Sequence, residues 1–158
     1  MLKFSSVHKY KAADTSRSLT TSRSADPDMQ FPIVGGETYV AEFFITIDAS
    51  AAGDLSFSFS LGGGTLNRGS LYAERYGSND SSVNGNAGYP CDGSLITAFA
   101  VSTVAGNDTA NYVEYLHVTV CLDVATSGTF SFDWAQATSD AAASVVKAGS
   151  QLFYERVA

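Results

Sequence analysis

Residues 128–157 read GTFSFDWAQATSDAAASVVKAGSQLFYERV, and within them Phe130, Phe132 and Trp134 alternate with Ser131, Asp133 and Ala135. Side chains of a strand point alternately to its two faces, so this order puts three rings on one face and small or polar groups on the other. On a helix the same rings would be scattered around the circumference. Burial of each ring contributes about 1.5–3 kcal/mol, and a slip of one residue would expose all three; the segment therefore predicts a half-buried strand of fixed register. Trp134, the single tryptophan, is expected at the centre of the core. At the end or outer face of a sheet the same ring would instead stack on a sugar.

The same period recurs upstream. Tyr39, Ala41, Phe43, Ile45 and Ile47 face one way and Val40, Glu42, Phe44, Thr46 and Asp48 the other, which leaves Phe44 needing a second cover. Leu55, Phe57, Phe59 and Leu61 alternate with serines 56, 58 and 60, and Leu116, Val118, Val120 and Leu122 mark the inner face of a strand over residues 112–123. Further strands are expected over 29–34, broken at Pro32, and over 70–76, 95–103 and 152–157. In a first strand Leu2, Phe4, His8 and Tyr10 alternate with Lys3, Lys9 and Lys11, giving one basic face. Glycine turns at Gly35-Gly36, Gly62-Gly63-Gly64 and Gly149-Ser150 separate these runs, and the Ala-rich stretch 139–148 reads as a helical turn or a loop. Residues 77–93 form the longest irregular stretch, a length at which loops often carry binding or assembly contacts. Eight or nine strands without a repeat period or βαβ spacing predict an all-β protein, a single antiparallel β-sandwich of jelly-roll type. Its expected core is Phe43, Phe57, Phe59, Phe130, Phe132 and Trp134. Two parts are expected: residues 1–28, a strand followed by a Ser/Thr-rich arm, and residues 29–158, the sandwich.

Composition points the same way. The 158 residues are 45% hydrophobic and 16% charged, enough for one well-filled core and short for two. A net charge of −7 argues against a nucleic-acid surface, which needs a basic stripe to neutralise phosphates. Five of the nine Lys and Arg, Lys3, Lys9, Lys11, Arg17 and Arg23, fall in the first 23 residues, as would suit an arm lying on an acidic partner or a lysine-guarded edge strand. Neither an apolar leader nor a run of 18 apolar residues occurs, so no membrane contact is expected and the chain should be made and kept in a cytosol. Cys91 and Cys121 have no C-x-x-C spacing; they read as free thiols, with a bridge between them left open.

Motifs of catalysis are missing from the sequence. It has no G-x-S-x-G, Walker A, H-E-x-x-H or G-x-G-x-x-G, and no cofactor is expected. His117 falls out of phase with its inward neighbours, beside Tyr115 and Thr119, and reads as a surface or interface histidine, since a relay would need a positioned serine and acid. Asp26 with Asp28, and Asp48 with Asp54, would serve a calcium or glycosidase site only with a spacing no motif here supplies, and read as turn aspartates.

Asp26-Pro27-Asp28 with Phe31-Pro32, then Tyr39, Trp134-Ala135-Gln136, Thr138-Ser139-Asp140, Gly149-Ser150 and Arg156-Val157 together resemble a family of small virion structural proteins of tailed bacteriophages. The resemblance covers both ends of the chain and leaves residues 62–111 unmatched. It implies a non-catalytic β-sandwich of the virion, a homo-oligomer with a trimer favoured. The corresponding expectation is a capsid decoration (cement) protein, with the major capsid protein as partner. Its contacts would be the basic residues of the arm together with Phe44, Tyr89, Tyr115 and His117. A tail-fibre module binding a receptor or carbohydrate through Tyr72, Tyr76 and Tyr89 is the alternative, and a glycan-active enzyme a more distant one.

Overall fold

A computed structural model describes residues 6–50, 52–76, 102–104 and 114–157, and every regular element among them is a strand. In chain order these are β1 (Ser6–Tyr10), β2 (Thr15–Arg17), β3 (Ser24–Ile33), β4 (Thr38–Asp48), β5 (Leu55–Ser60), β6 (Thr65–Tyr76), β7 (Ser102–Val104), β8 (Glu114–Thr126), β9 (Gly128–Ala135), β10 (Ser144–Val146) and β11 (Gln151–Arg156). All pairings are antiparallel. The larger sheet runs β1-β11-β4-β8-β6, with β10 and β2 continuing the rows of β11 and β1 beside the far end of β4; the smaller runs β3-β9-β5-β7. Partners nest: β1 with β11, β3 with β9, β4 with β8, β5 with β7. A long hairpin folded over on itself in this way is a jelly roll, and β6 adds a strand beyond β8.

The core lies between the sheets. From β4 come Tyr39, Ala41, Phe43, Ile45 and Ile47, from β8 Leu116, Val118, Val120 and Leu122, and from the smaller sheet Phe57, Phe59, Phe130, Phe132 and Trp134, all buried as the alternation predicts. The rings meet across the gap, Phe43 sitting edge-on to Phe59 at 5.1 Å, and within the smaller sheet Phe59 stacks on Phe130 at 5.3 Å. Where β8 turns into β9, only glycine fits at 128, because a Cβ there would strike the backbone of Leu61 and Gly64.

Three expectations change. Pro32 does not break its strand: among the described residues β3 is the edge of the smaller sheet, where a residue without an N–H is tolerated. The Ala-rich stretch holds β10, a strand whose Ser144 and Val146 are buried, in place of a helical turn. Residues 6–28 are no free arm. β1 and β2 pair with β11 and β10, and β3 already begins at Ser24, so this part of the chain supplies rows of both sheets. The expected loop 77–93 and most of the strand at 95–103 lie outside the described residues.

Candidate functional site

Of the basic residues expected at an interface, Lys9, Lys11 and Arg17 turn inward, while Arg23 stays exposed. Outward positions of β1 are Ser6, His8 and Tyr10, while Val7 and Lys9 are half-buried and Lys11, just beyond, is fully buried. The basic face of the first strand is thus the one over the smaller sheet. Lys9 Nζ donates to the Gln30 carbonyl, and Arg23 to Ser56 Oγ at 2.8 Å. Arg17 donates to the carbonyls of Ser24, Ala25 and Trp134 and lies over the Trp134 ring at 4.3 Å. Burial pulls the Arg17 guanidinium below its ordinary pKa, against the opposing pull of Asp26 and Asp133. Lys3 lies outside the described residues.

Lys11 and Asp26 form the centre of a buried ionic cluster. Three residues are bulged out of β3 between Ala25 and Gln30, relative to β9, and this turns Asp26 into the interior. Lys11 Nζ donates to Asp26 Oδ1 at 2.9 Å, to Thr15 Oγ1 at 2.6 Å and to Asp28 Oδ2 at 3.2 Å, and Trp134 Nε1 donates to Asp26 Oδ2 at 3.2 Å. A buried lysine without such partners would carry a desolvation penalty of several kcal/mol. Two further motif stretches anchor the same end. Gln136 holds the following loop through Ala142 and Asp140, and Ser150 bridges Thr46 and Lys147. Asp26-Pro27-Asp28, Trp134-Ala135-Gln136 and Gly149-Ser150 are therefore structural parts of the jelly roll.

The two outer faces differ in kind. That of the smaller sheet carries serines and Asp133, tied to one another by Ser60–Ser131 and Ser131–Asp133 hydrogen bonds of 2.8 and 2.6 Å. That of the larger sheet carries rings. Cross-strand register places His8 opposite Phe153, and Phe44 between Gln151 and His117. The imidazole of His8 stacks on Phe153 at 4.1 Å and that of His117 on Phe44 at 4.5 Å, while Phe44 and Phe153 meet edge to face at 5.9 Å. A continuous aromatic row so crosses β1, β11, β4 and β8. Tyr10 (62% exposed), Tyr115 (56%), Phe44 (41%) and Tyr72 (40%) leave large apolar area in water around it. Beside Phe44 opens a groove of about 280 Å³ lined by Thr46, Tyr115, His117, Gly149 and Gln151 among others.

Phe44, Tyr115 and His117, three of the expected interface residues, are thus brought together; Tyr89 and Cys91 fall outside the described residues. Phe153 and His8 complete the row, and their place beside Phe44 depends on which strands pair, which no local pattern shows. His117 Nε2 lies 3.9 Å from Glu42 Oε1, at the rim of the aromatic row. Among the described residues no group of three His, Cys, Asp or Glu is placed to hold a metal ion, and no helix is long and apolar enough to cross a membrane. Cys121 is exposed on this same face.

No protein-family model matches the chain, and no curated protein does. Among solved structures it is similar to chains of infectious bursal disease virus. For the Gt strain the identity is 8% and the TM-score 0.32, covering 98% of this chain and 37% of that one. For the Gx strain they are 7% and 0.25, covering 98% and 35%. The chain thus spans about a third of the length of the viral chains it matches.

Proposed function

We propose that the chain is a non-catalytic structural protein of a bacteriophage virion, made in the host cytoplasm, and that it acts as a capsid decoration (cement) protein over junctions of major capsid subunits. The observation that carries this reading is the contrast between the faces of the sandwich. One is finished with hydrogen-bonded serines; the other leaves Tyr10, Phe44, Tyr72 and Tyr115 in water on a rigid sheet. Apolar area of that kind, held without loss of side-chain freedom on docking, is what a permanent contact uses. The larger sheet would lie on the shell, and copies of the chain would associate around a symmetry axis, with a trimer favoured.

One observation favours a second reading, a carbohydrate-binding module of a tail fibre. The groove beside Phe44 combines aromatic rings with the Gln151 amide and the Thr46 hydroxyl, the mixture that stacks and hydrogen-bonds a sugar. Paired variants separate the two. Phe44→Glu and Tyr115→Glu are expected to leave the β-rich fold intact and abolish sedimentation with capsids. Unchanged capsid binding, with loss of binding on a glycan array, would overturn decoration in favour of the fibre.

A further inference from the structure

The buried cluster holds a primary amine against a carboxyl group where both are withdrawn from water. Lys11 and Asp26 are fully buried, and Nζ lies 2.9 Å from Oδ1 and 3.1 Å from Oδ2. Nearly equal distances to the two oxygens bring the nitrogen close to the carbon between them. Holding two reacting groups in that way removes most of the entropic barrier to a bond between them. Each oxygen also accepts an N–H, Oδ1 from the Asp28 backbone at 3.1 Å and Oδ2 from Trp134 Nε1 at 3.2 Å. Donors so placed stabilise the charge that develops on oxygen when a carboxyl carbon becomes tetrahedral. A second carboxylate, Asp28, has its Oδ2 3.2 Å from the same nitrogen and is itself 44% exposed, so it reaches from the reacting pair to solvent.

We propose that Lys11 and Asp26 condense in the folded protein to an intramolecular isopeptide bond that joins the β1–β2 row of the larger sheet to β3 of the smaller. Atoms balance without oxidant or cofactor, since an ammonium and a carboxylate differ from their amide by one water. One Nζ proton passes to Asp26, leaving a neutral amine and a neutral acid. Nζ then forms its bond to Cγ, while Oδ1 and Oδ2 are held by the Asp28 and Trp134 N–H groups. Asp28 accepts a second proton from the nitrogen and returns it to the departing hydroxyl; the C–O bond breaks and water leaves along the exposed side of Asp28. The product replaces two buried charges with one neutral amide, removing the penalty of keeping ions out of water. By contrast, the Lys147–Asp14 pair, at 2.6 Å, stands in solvent, where both ions are hydrated and nothing favours loss of water.

Intact-mass spectrometry of the purified full chain, with Lys11→Arg run beside it, tests this. After allowance for the substitution, the parent is expected to be one water lighter than Lys11→Arg, whose guanidinium does not attack. Proteolysis of the parent should release a branched peptide joining the segments around Lys11 and Asp26. Asp28→Ala should fold and keep the water. A parent at full sequence mass after prolonged incubation overturns the bond whatever the variants do. So does a water loss that persists in Lys11→Arg, which would place the dehydration elsewhere, for instance at Asp92-Gly93. An Asp28→Ala chain that condenses as completely as the parent overturns the role of Asp28.

Discussion

Trp134 serves two interactions at once, which is why its loss should be felt beyond the removed ring. Its ring fills the space between the sheets under Arg17, and its Nε1 satisfies one oxygen of Asp26. Trp134→Ala is expected to destabilise the fold by about 3–5 kcal/mol, a large share of the roughly 5–15 kcal/mol of a whole domain. Urea unfolding of the variant checks this, and a midpoint equal to the parent's would remove Trp134 from the centre of the core. Asp14 is the contrasting surface case. The hydrogen bond from Lys147, and next that from the Ala148 backbone, hold its carboxyl below the usual aspartate pKa, and the same contact with Asp14 raises that of Lys147. A lowered carboxyl contributes stability above the ordinary aspartate range and loses it as pH falls through the folded value; a raised lysine contributes below the ordinary lysine range and loses it as pH rises further. Thermal melts of the parent and Asp14→Asn should therefore differ near neutral pH and converge in acid.

Among the elements, those with an unbroken period of two were legible and those with special local chemistry were not. Phe130, Phe132 and Trp134, and the odd positions of β4, reach the core as their alternation requires, because one buried face specifies register strongly. Lys11 misled for a physical reason. Lysine is almost never fully buried unless paired, and its partner sits in the opposite sheet, turned inward by a bulge that no periodicity announces. β10 has three residues, too few to show a period. At the candidate interface Phe44, Tyr115 and His117 could be found because each is out of phase with buried neighbours. The same sheet position of His8 and Phe153 required the β1–β11 pairing, which links the two ends of the chain. From this follows an expectation for the first part of the sequence. A chain beginning at Met29 lacks β1, β2 and both sides of the Lys11–Asp26 cluster, and should be recovered unfolded or aggregated. Cooperative melting and parental β-content in circular dichroism would instead restore residues 1–28 as a separable arm.

At the scale of the molecule, the inward use of Lys9, Lys11 and Arg17 alters what salt should do. Exposed charge contacts weaken as ionic strength rises, whereas contacts made by rings do not. On the proposed decoration role, capsid binding is therefore expected to change little between low and high salt, measured by co-sedimentation, and a steep decline would point to the acidic body, to Arg23 or to Lys3. The jelly-roll nesting also has a bearing on synthesis. Ser6 pairs with Glu155 and Tyr10 with Gln151, so among the described strands β1 gains its sheet partner only after β11 has left the ribosome. Non-local pairings of this kind form slowly, and unpaired strand edges invite aggregation meanwhile. Because the aromatic row is assembled from β1, β11, β4 and β8, a prematurely terminated chain never displays it in full. The aromatic row is thus withheld until translation has passed β11, and on the proposed role a truncated product would not compete with finished copies for a place in an assembly.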